Sequence, residues 1–209
     1  MRIRVEFAKT EPMRYTSHLD LYRAWERLLR RAGFQLVFSQ GYNPRPKLQL
    51  ASPLPLGITS RAEIIDFWLS DCPDGIKSIL EKLTKAQPPG VEVQQVEFVD
   101  PSSSTLQKKV TASEYLVDLL DEIPDLESRI TSIMDADTVM RQKREKLYDL
   151  RPLIQEISIH PNQHQTSQQI FMLLNAQEGG TGRPDEVLLA LKIQPEDALI
   201  ERTKIIFLE

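Results

Sequence analysis

Read along its length, the chain gives the order strand, helix, strand, strand, helix, strand twice. This predicts an α+β protein, two tandem ferredoxin-like (βαββαβ) domains with antiparallel sheets. Three observations carry the prediction. Polar and apolar residues alternate at residues 2–9 and 91–99, which is the period of a strand with one buried face. Apolar residues at helical spacing follow strong start signals in each half. A short run of turn formers, Asp100-Pro101-Ser102-Ser103-Ser104, separates the halves. The expected division is therefore a basic domain over residues 1–100, a linker over 101–112 and an acidic domain over 113–209. With 209 residues, 41% hydrophobic and 27% charged, the composition is that of a globular chain and excludes disordered, collagen-like and coiled-coil classes.

The elements follow in order. Arg2-Ile3-Arg4-Val5-Glu6-Phe7-Ala8-Lys9 reads as a first strand. Ser17-His18-Leu19-Asp20 is a capping box, in which the serine hydroxyl takes one orphan amide at a helix start and the acid three residues on answers it. Leu21, Trp25, Leu28, Leu29 and Ala32 share one face of the helix that follows, four arginines lie mostly off that face, and Gly33 supplies the stop. Residues 35–39 and 47–52 flank a loop whose glycine, asparagine and two prolines do not suit a regular element. Residues 62–70 (AEIIDFWLS) read as a buried strand, Pro73-Asp74-Gly75 restarts a helix, Pro88-Pro89-Gly90 ends it, and 91–99 closes the first half. In the second half, strands are expected over 113–120, 153–160, 168–177 and 198–208, with helices over 125–134 and 184–193. The charged stretch 137–148 has room for an additional hairpin.

The net charge of −4 conceals an asymmetry. Residues 1–60 hold ten Lys and Arg against four acids, a local charge of +6, which leaves −10 on the rest. One end is thus suited to an anion such as nucleic acid, and the other to keeping the chain in solution. A single cysteine, Cys72, permits no intramolecular disulfide and no zinc or iron–sulfur cluster, so a reducing cytoplasm is the expected location and no cofactor is expected. Nor is a membrane partner expected. No apolar run approaches the roughly 20 residues that span a bilayer, and residues 1–10 alternate in polarity instead of forming a signal segment.

Two constellations carry candidate chemistry in the basic half. Arg14, Ser17 and His18 stand at a helix start, where exposed amides and a guanidinium suit a phosphate, and Arg23 and Arg30 extend the basic helix. The alternative is that Ser17 and Asp20 only cap the helix. Gln40, Gly41, Tyr42, Asn43, Arg45 and Lys47 form a loop that offers a base-stacking ring and two cations, or else a plain hairpin tip fixed by prolines. In the acidic half, Gly179-Gly180-Thr181-Gly182-Arg183 is a flexible amide-rich turn without the Walker or Rossmann pattern, and Arg151 is an additional cation. His160 and His164 flank a Pro-Asn turn and so do not share a helix face as a metal pair requires. Glu63 and Asp66, three apart on a strand, point to opposite faces and form no acid–base pair. The expected anion or RNA site is thus Arg14, Ser17, His18, Arg23, Arg30, Gln40, Gly41, Tyr42, Asn43, Arg45, Lys47, Arg151 and Arg183, with no metal.

Met13-Arg14-Tyr15-Thr16-Ser17-His18-Leu19-Asp20, Gly41-Tyr42-Asn43-Pro44-Arg45-Pro46-Lys47 and Ser52-Pro53-Leu54-Pro55-Leu56-Gly57, in this order, closely resemble the bacterial radical SAM-linked domain of unknown function. Arg151-Pro152, Gly182-Arg183-Pro184-Asp185-Glu186-Val187-Leu188 and Arg202-Thr203 extend the resemblance over nearly the whole chain. Members of that family occur free or at the C-terminus of cobalamin-binding radical SAM proteins, so the resemblance implies such a protein as the partner. The CxxxCxxC cluster of the radical SAM centre itself is missing from this sequence. The tandem ferredoxin-like order also resembles the architecture of the CRISPR repeat-cleaving endoribonucleases, in fold only. That likeness leaves open a metal-independent endoribonuclease in which His18 is the general acid or base, beside the RNA-binding accessory module and a protein–protein adaptor.

Overall fold

The computed structural model describes residues 1–71, 75–143, 145–160, 168–177 and 179–208. They form two compact units, Met1–Lys109 and Val110–Glu209, each α+β with antiparallel strand pairing and sharing five α-helices among the described residues.

In the first unit, β1 (Arg2–Lys9) leads through a single 3-10 turn to α1 (His18–Arg31). β2 (Leu48–Leu50), β3 (Ile58–Trp68), α2 (Ile76–Ala86) and β4 (Val91–Val99) follow. The sheet runs β2–β3–β1–β4, all antiparallel, with Val5 opposite Ile65 on one side and Val96 on the other. Alternation along β1 sends Ile3, Val5 and Phe7 to the face that α1 and α2 cover. There they meet Leu21, Trp25, Leu28 and Leu29 of α1, Ile79 and Leu83 of α2, and Ile65 and Phe67 of β3. The Phe7 and Trp25 rings pack edge to face at 4.8 Å, a geometry favoured by the ring quadrupoles. Two glycines are dictated by position. Gly33, at φ +78°, ends α1 in the left-handed region. Gly90, at φ +89°, lets its carbonyl take the Thr10 amide, and a Cβ there would lie 2.8 Å from the Met13 backbone nitrogen.

The opposite face of this sheet is held by charge. Arg2 and Asp66 are 1% and 0% exposed; Arg2 Nη2 lies 2.6 Å and Nε 2.9 Å from Asp66 Oδ2. Arg4 Nε donates to the other Asp66 oxygen at 2.9 Å. Arg2 also donates to the carbonyls of Ser103 and Ser104, and so fastens the segment after β4 to the sheet. That segment departs from its expectation as a linker over 101–112. Leu106 is fully buried at the start of a short helix, α3 (Leu106–Lys109), and Gln107 donates to the Leu50 carbonyl. A polar, turn-rich run reads as a linker because a single buried leucine leaves no periodicity. Residues 35–39, which flank the expected loop, make two isolated bridges, Leu36 to Leu69 and Phe38 to Pro46.

In the second unit the elements are β5 (Val110–Leu119), α4 (Leu126–Met134), β6 (Met140–Lys143), β7 (Lys146–Asp149), β8 (Ile154–His160), β9 (Gln169–Gln177), β10 (Gly180–Thr181), α5 (Pro184–Ala190) and β11 (Ala198–Phe207). β5 lies between β11 and β9, and β9 also pairs β8 and the two-residue β10. Among the described residues β6 and β7 pair only with each other, as the added hairpin in the charged stretch. Buried side chains from α4, α5 and the strands, among them Ile130, Ile133, Val187, Leu188, Met172 and Val117, form the apolar interior. The expectations on Cys72-Pro73-Asp74 and on the turn from His160 to His164 fall largely outside the described residues. None of the described helices is long and apolar enough to cross a membrane.

Candidate nucleic-acid interface

α1 starts where its sequence allows. Ser17 is the N-cap: its hydroxyl accepts the Asp20 amide at 3.2 Å and donates to the Asp20 carboxylate at 2.7 Å. The Ser17 hydroxyl, aided by Arg23, holds the Asp20 carboxyl below its ordinary pKa, against a smaller desolvation effect. Ser17 is thus engaged in capping, and His18, half-buried, opens the first turn. Arg14 does not face the same space as a free cation. Its Nε donates to the Gly57 carbonyl at 2.9 Å, and Gly57 N returns a bond to the Arg14 carbonyl at 3.1 Å. Lys9, 1% exposed, donates to that same Arg14 carbonyl and to Ile58. Arg14 and Lys9 therefore fasten the Pro-stiffened turn before β3 onto the start of α1.

The second constellation is differently placed. Residues 37–47 form an irregular hairpin: the Val37 amide donates to the Trp68 carbonyl, the Lys47 amide to Val37, and the Ser39 amide to Arg45. The Ser39 hydroxyl accepts the Arg45 amide at 3.0 Å. Tyr22, from the second turn of α1, donates to the Pro46 carbonyl at 2.9 Å and pins the hairpin to the helix. Burial, together with Glu26, raises the Tyr22 phenol above its ordinary pKa, with Arg45 opposing. Between these anchors Gln40, Gly41, Tyr42 and Asn43 are exposed, and the Tyr42 ring is 100% exposed at the tip. The Lys47 ammonium sits 4.4 Å above the Trp68 ring, a cation–π contact.

The ten cations of residues 1–60 can now be sorted. Arg2 and Arg4 are tied to Asp66, while Lys9, Arg14 and Arg31 donate to main-chain carbonyls. Arg23 and Arg30 make exposed ion pairs with Asp20 and Glu26, and such pairs contribute about 0–1 kcal/mol and are readily exchanged for a phosphate. Arg27, Arg45 and Lys47 complete the count, exposed on α1 and the hairpin. Apart from Arg31, the exposed cations of residues 1–60 are thus Arg23, Arg27 and Arg30 on α1 and Arg45 and Lys47 on the 37–47 hairpin. Tyr22 and Trp68, which fix that hairpin, were missed. The only signal was that Tyr22 borders the apolar stripe of α1 and that Trp68 ends a strand.

In the second unit the two expected cations are held by their own chain. Arg151 donates twice to the Met134 carbonyl at the end of α4, at 3.2 and 2.9 Å, and once to Ile154 at 3.0 Å. It caps a helix C-terminus, where a cation complements the macrodipole. Arg183 forks onto Asp185 through Nε and Nη2 at 3.0 and 2.5 Å. Both lie in the second unit, while the hairpin lies in the first. Among the described residues no three His, Cys, Asp or Glu side chains group as metal ligands.

Residues 2–184 match the family described as an uncharacterized protein conserved in bacteria (DUF2344), and the chain belongs to that family. No curated protein matches it. Among solved structures, a Cbf5-Nop10-Gar1 complex matches with a TM-score of 0.47 and 11% identity, covering 97% of this chain and 48% of the other. The archaeal box H/ACA sRNP Nop10-Cbf5 complex gives 0.44 and 12%, over 96% and 46%. An unknown protein from Galdieria sulphuraria gives 0.27 and 12%, over 100% and 98%. The chain spans about half the length of the first two. At such scores these likenesses carry no argument.

Proposed function

We propose that this protein is a non-catalytic accessory module that binds single-stranded RNA, or another phosphate-rich substrate, on α1 and the 37–47 hairpin. The observation that carries this reading is Tyr42: a fully exposed ring at the tip of a loop whose two sides are bonded to Trp68, Val37 and Tyr22, so that its display costs little ordering on binding. A base stacks on such a ring, and Arg45, Lys47, Arg23, Arg27 and Arg30 lie on the same elements to neutralise phosphates. The resemblance of the Arg14–Asp20, Gly41–Lys47 and Ser52–Gly57 motifs to the radical SAM-linked domain supports service to a cobalamin-binding radical SAM protein in the cytoplasm. The strand orders β2–β3–β1–β4 and β8–β9–β5–β11 support reading each unit as a ferredoxin-like domain.

Fluorescence anisotropy with a labelled single-stranded RNA at low salt tests the reading. Tyr42→Ala is expected to lose about 1–3 kcal/mol of binding, the size of one base–aromatic stack, with unchanged thermal unfolding. Absence of RNA binding by the unaltered protein at low salt overturns the proposal. RNA cleaved in EDTA by the unaltered protein and left intact by His18→Ala would replace it with the endoribonuclease reading.

A further inference from the structure

The two units leave their sheet edges in different states. In the first, β2 is three residues long and Gln107 Nε2 donates to its Leu50 carbonyl at 2.6 Å, while on the β4 side Gln87 Oε1 accepts the Val93 amide at 2.9 Å. Side chains there occupy main-chain groups that an incoming strand needs. In the second, β8 is seven residues long, has no proline, lysine or arginine, and among the described residues pairs with β9 alone. Alternate residues of such an edge turn amide and carbonyl away from the sheet, which makes it a template for one more strand.

A groove of about 300 Å³ adjoins this edge, lined by Glu127, Ile130 and Thr131 of α4 and by Ser158 and Ile159 of β8. Its floor is apolar, because both hydroxyls are bonded within their own elements, Thr131 to the Glu127 carbonyl and Ser158 to the Glu156 carboxylate. Ile159 pairs with Ile170, which is 0% exposed, yet is itself 41% exposed. The cover it lacks is on the side away from β9, where an added strand runs. The rim is acidic. Glu127 and Thr131 also line the trough along α4, together with Asp125 and Asp135 and with no cation. Arg129 pairs with Asp125 at 2.9 Å and Lys192 stands near the same carboxylate. No cation pairs with Glu127, Asp135 or the exposed Glu156 of β8 among the described residues, so the charge around the groove favours a cationic partner.

We propose that β8 and α4 dock an extended basic segment of a partner protein, added to the sheet as a strand beside β8. Main-chain bonds to β8 supply affinity, and side chains on the α4 side supply the choice of sequence. An apolar side chain enters the groove against Ile130 and Ile159. Lysines or arginines two positions before and after it point to the same side, because side chains alternate along a strand, and meet the carboxylates of α4. This assignment goes beyond the RNA-binding reading and involves the other unit.

Fluorescence polarisation of the labelled peptide Thr-Lys-Thr-Ile-Thr-Lys-Thr with the full chain tests it. The peptide is expected to bind saturably at one site per chain, and the same peptide with glutamates for lysines at least tenfold more weakly. Two further peptides are N-methylated on alternate residues, one at odd and one at even positions. One of them is expected to bind like the parent peptide and the other at least tenfold more weakly, because a strand pairs with β8 through one of its edges only. Ile159→Lys, which puts a charge in the groove, is expected to abolish binding, and Glu127→Lys to weaken it about tenfold, with both variants unfolding like the parent. Tyr42→Ala, which removes the RNA-stacking ring, is expected to bind the peptide unchanged, so that the two proposals fail separately. Absence of saturable peptide binding at millimolar protein overturns the assignment. Equal binding of the two methylated peptides, parent-like binding by Ile159→Lys, or loss of binding in Tyr42→Ala does so too. A parent chain that sediments as a dimer and an Ile159→Lys variant that sediments as a monomer would place a second copy in the groove, and would equally overturn it.

Discussion

Arg2 and Arg45 are both arginines of the same basic segment, yet they stand at opposite limits of what a charge can do. Arg2 is 1% exposed, bonded to Asp66 and to two carbonyls, and lies against the Trp68 ring at 5.1 Å. Arg45 stands exposed in a hairpin stem, where its backbone amide and carbonyl are bonded to Ser39. Trp68 lies between the two roles, since its ring carries Arg2 and Lys47 and its main chain holds the hairpin. The difference teaches that a local excess of +6 measures neither stability nor binding until each cation is assigned a partner. In this chain half of the ten hold the fold together, and the remainder define a surface.

The largest test of that division is Asp66→Ala. Removing the carboxylate leaves Arg2 buried and uncompensated, and breaking such a pair costs about 3–5 kcal/mol. Urea denaturation should show that loss, and a cost below about 1 kcal/mol would mean that Arg2 is solvated and belongs with the surface cations. Arg14→Ala sharpens the comparison next. It deletes the bond to the Gly57 carbonyl that ties the turn before β3 to the start of α1, so a cost of about 1–2 kcal/mol is expected, with RNA affinity of the folded protein unchanged. A fall in affinity without destabilisation would return Arg14 to the binding set. Ser17→Ala should cost about 1 kcal/mol as a lost N-cap. In an NMR titration the Asp20 carboxyl should also rise toward its ordinary pKa, because the Ser17 hydroxyl is the largest cause of its depression. The sign follows from linkage: a depressed carboxyl stabilises the fold above its unfolded pKa, and that contribution is lost as pH falls through the folded value. The dependence of stability on pH across the acidic limb should therefore be shallower in Ser17→Ala.

Much of the fold was legible because its signals are local. The alternation of 2–9 and 91–99 marks β1 and β4 to the residue, the capping box marks α1, and the charged stretch 137–148 contains the added hairpin. What was not legible depended on distant partners. β3 begins at Ile58, before the apolar run that announced it, because pairing with Lys9 extends the strand past a bulge. α3 is invisible because one buried leucine shows no period. The candidate site followed the same rule. That the Gly41–Lys47 loop is displayed could be read from its prolines and glycine. That Arg14, Arg151 and Arg183 are occupied could not, because Gly57, Met134 and Ile154 bind through carbonyls, which no side-chain pattern reports, and Asp185 equally suits the first turn of a helix as a dipole partner.

The most direct test of the account is the slope of RNA affinity against salt, compared between Arg45→Ala with Lys47→Ala and Arg14→Ala. Each phosphate contact to a single strand contributes about 0.7 to that slope. The account predicts that the hairpin double variant lowers the slope by about 1.4 and that Arg14→Ala leaves it unaltered. An unaltered slope in the hairpin variant, or an equal fall in both, would contradict it.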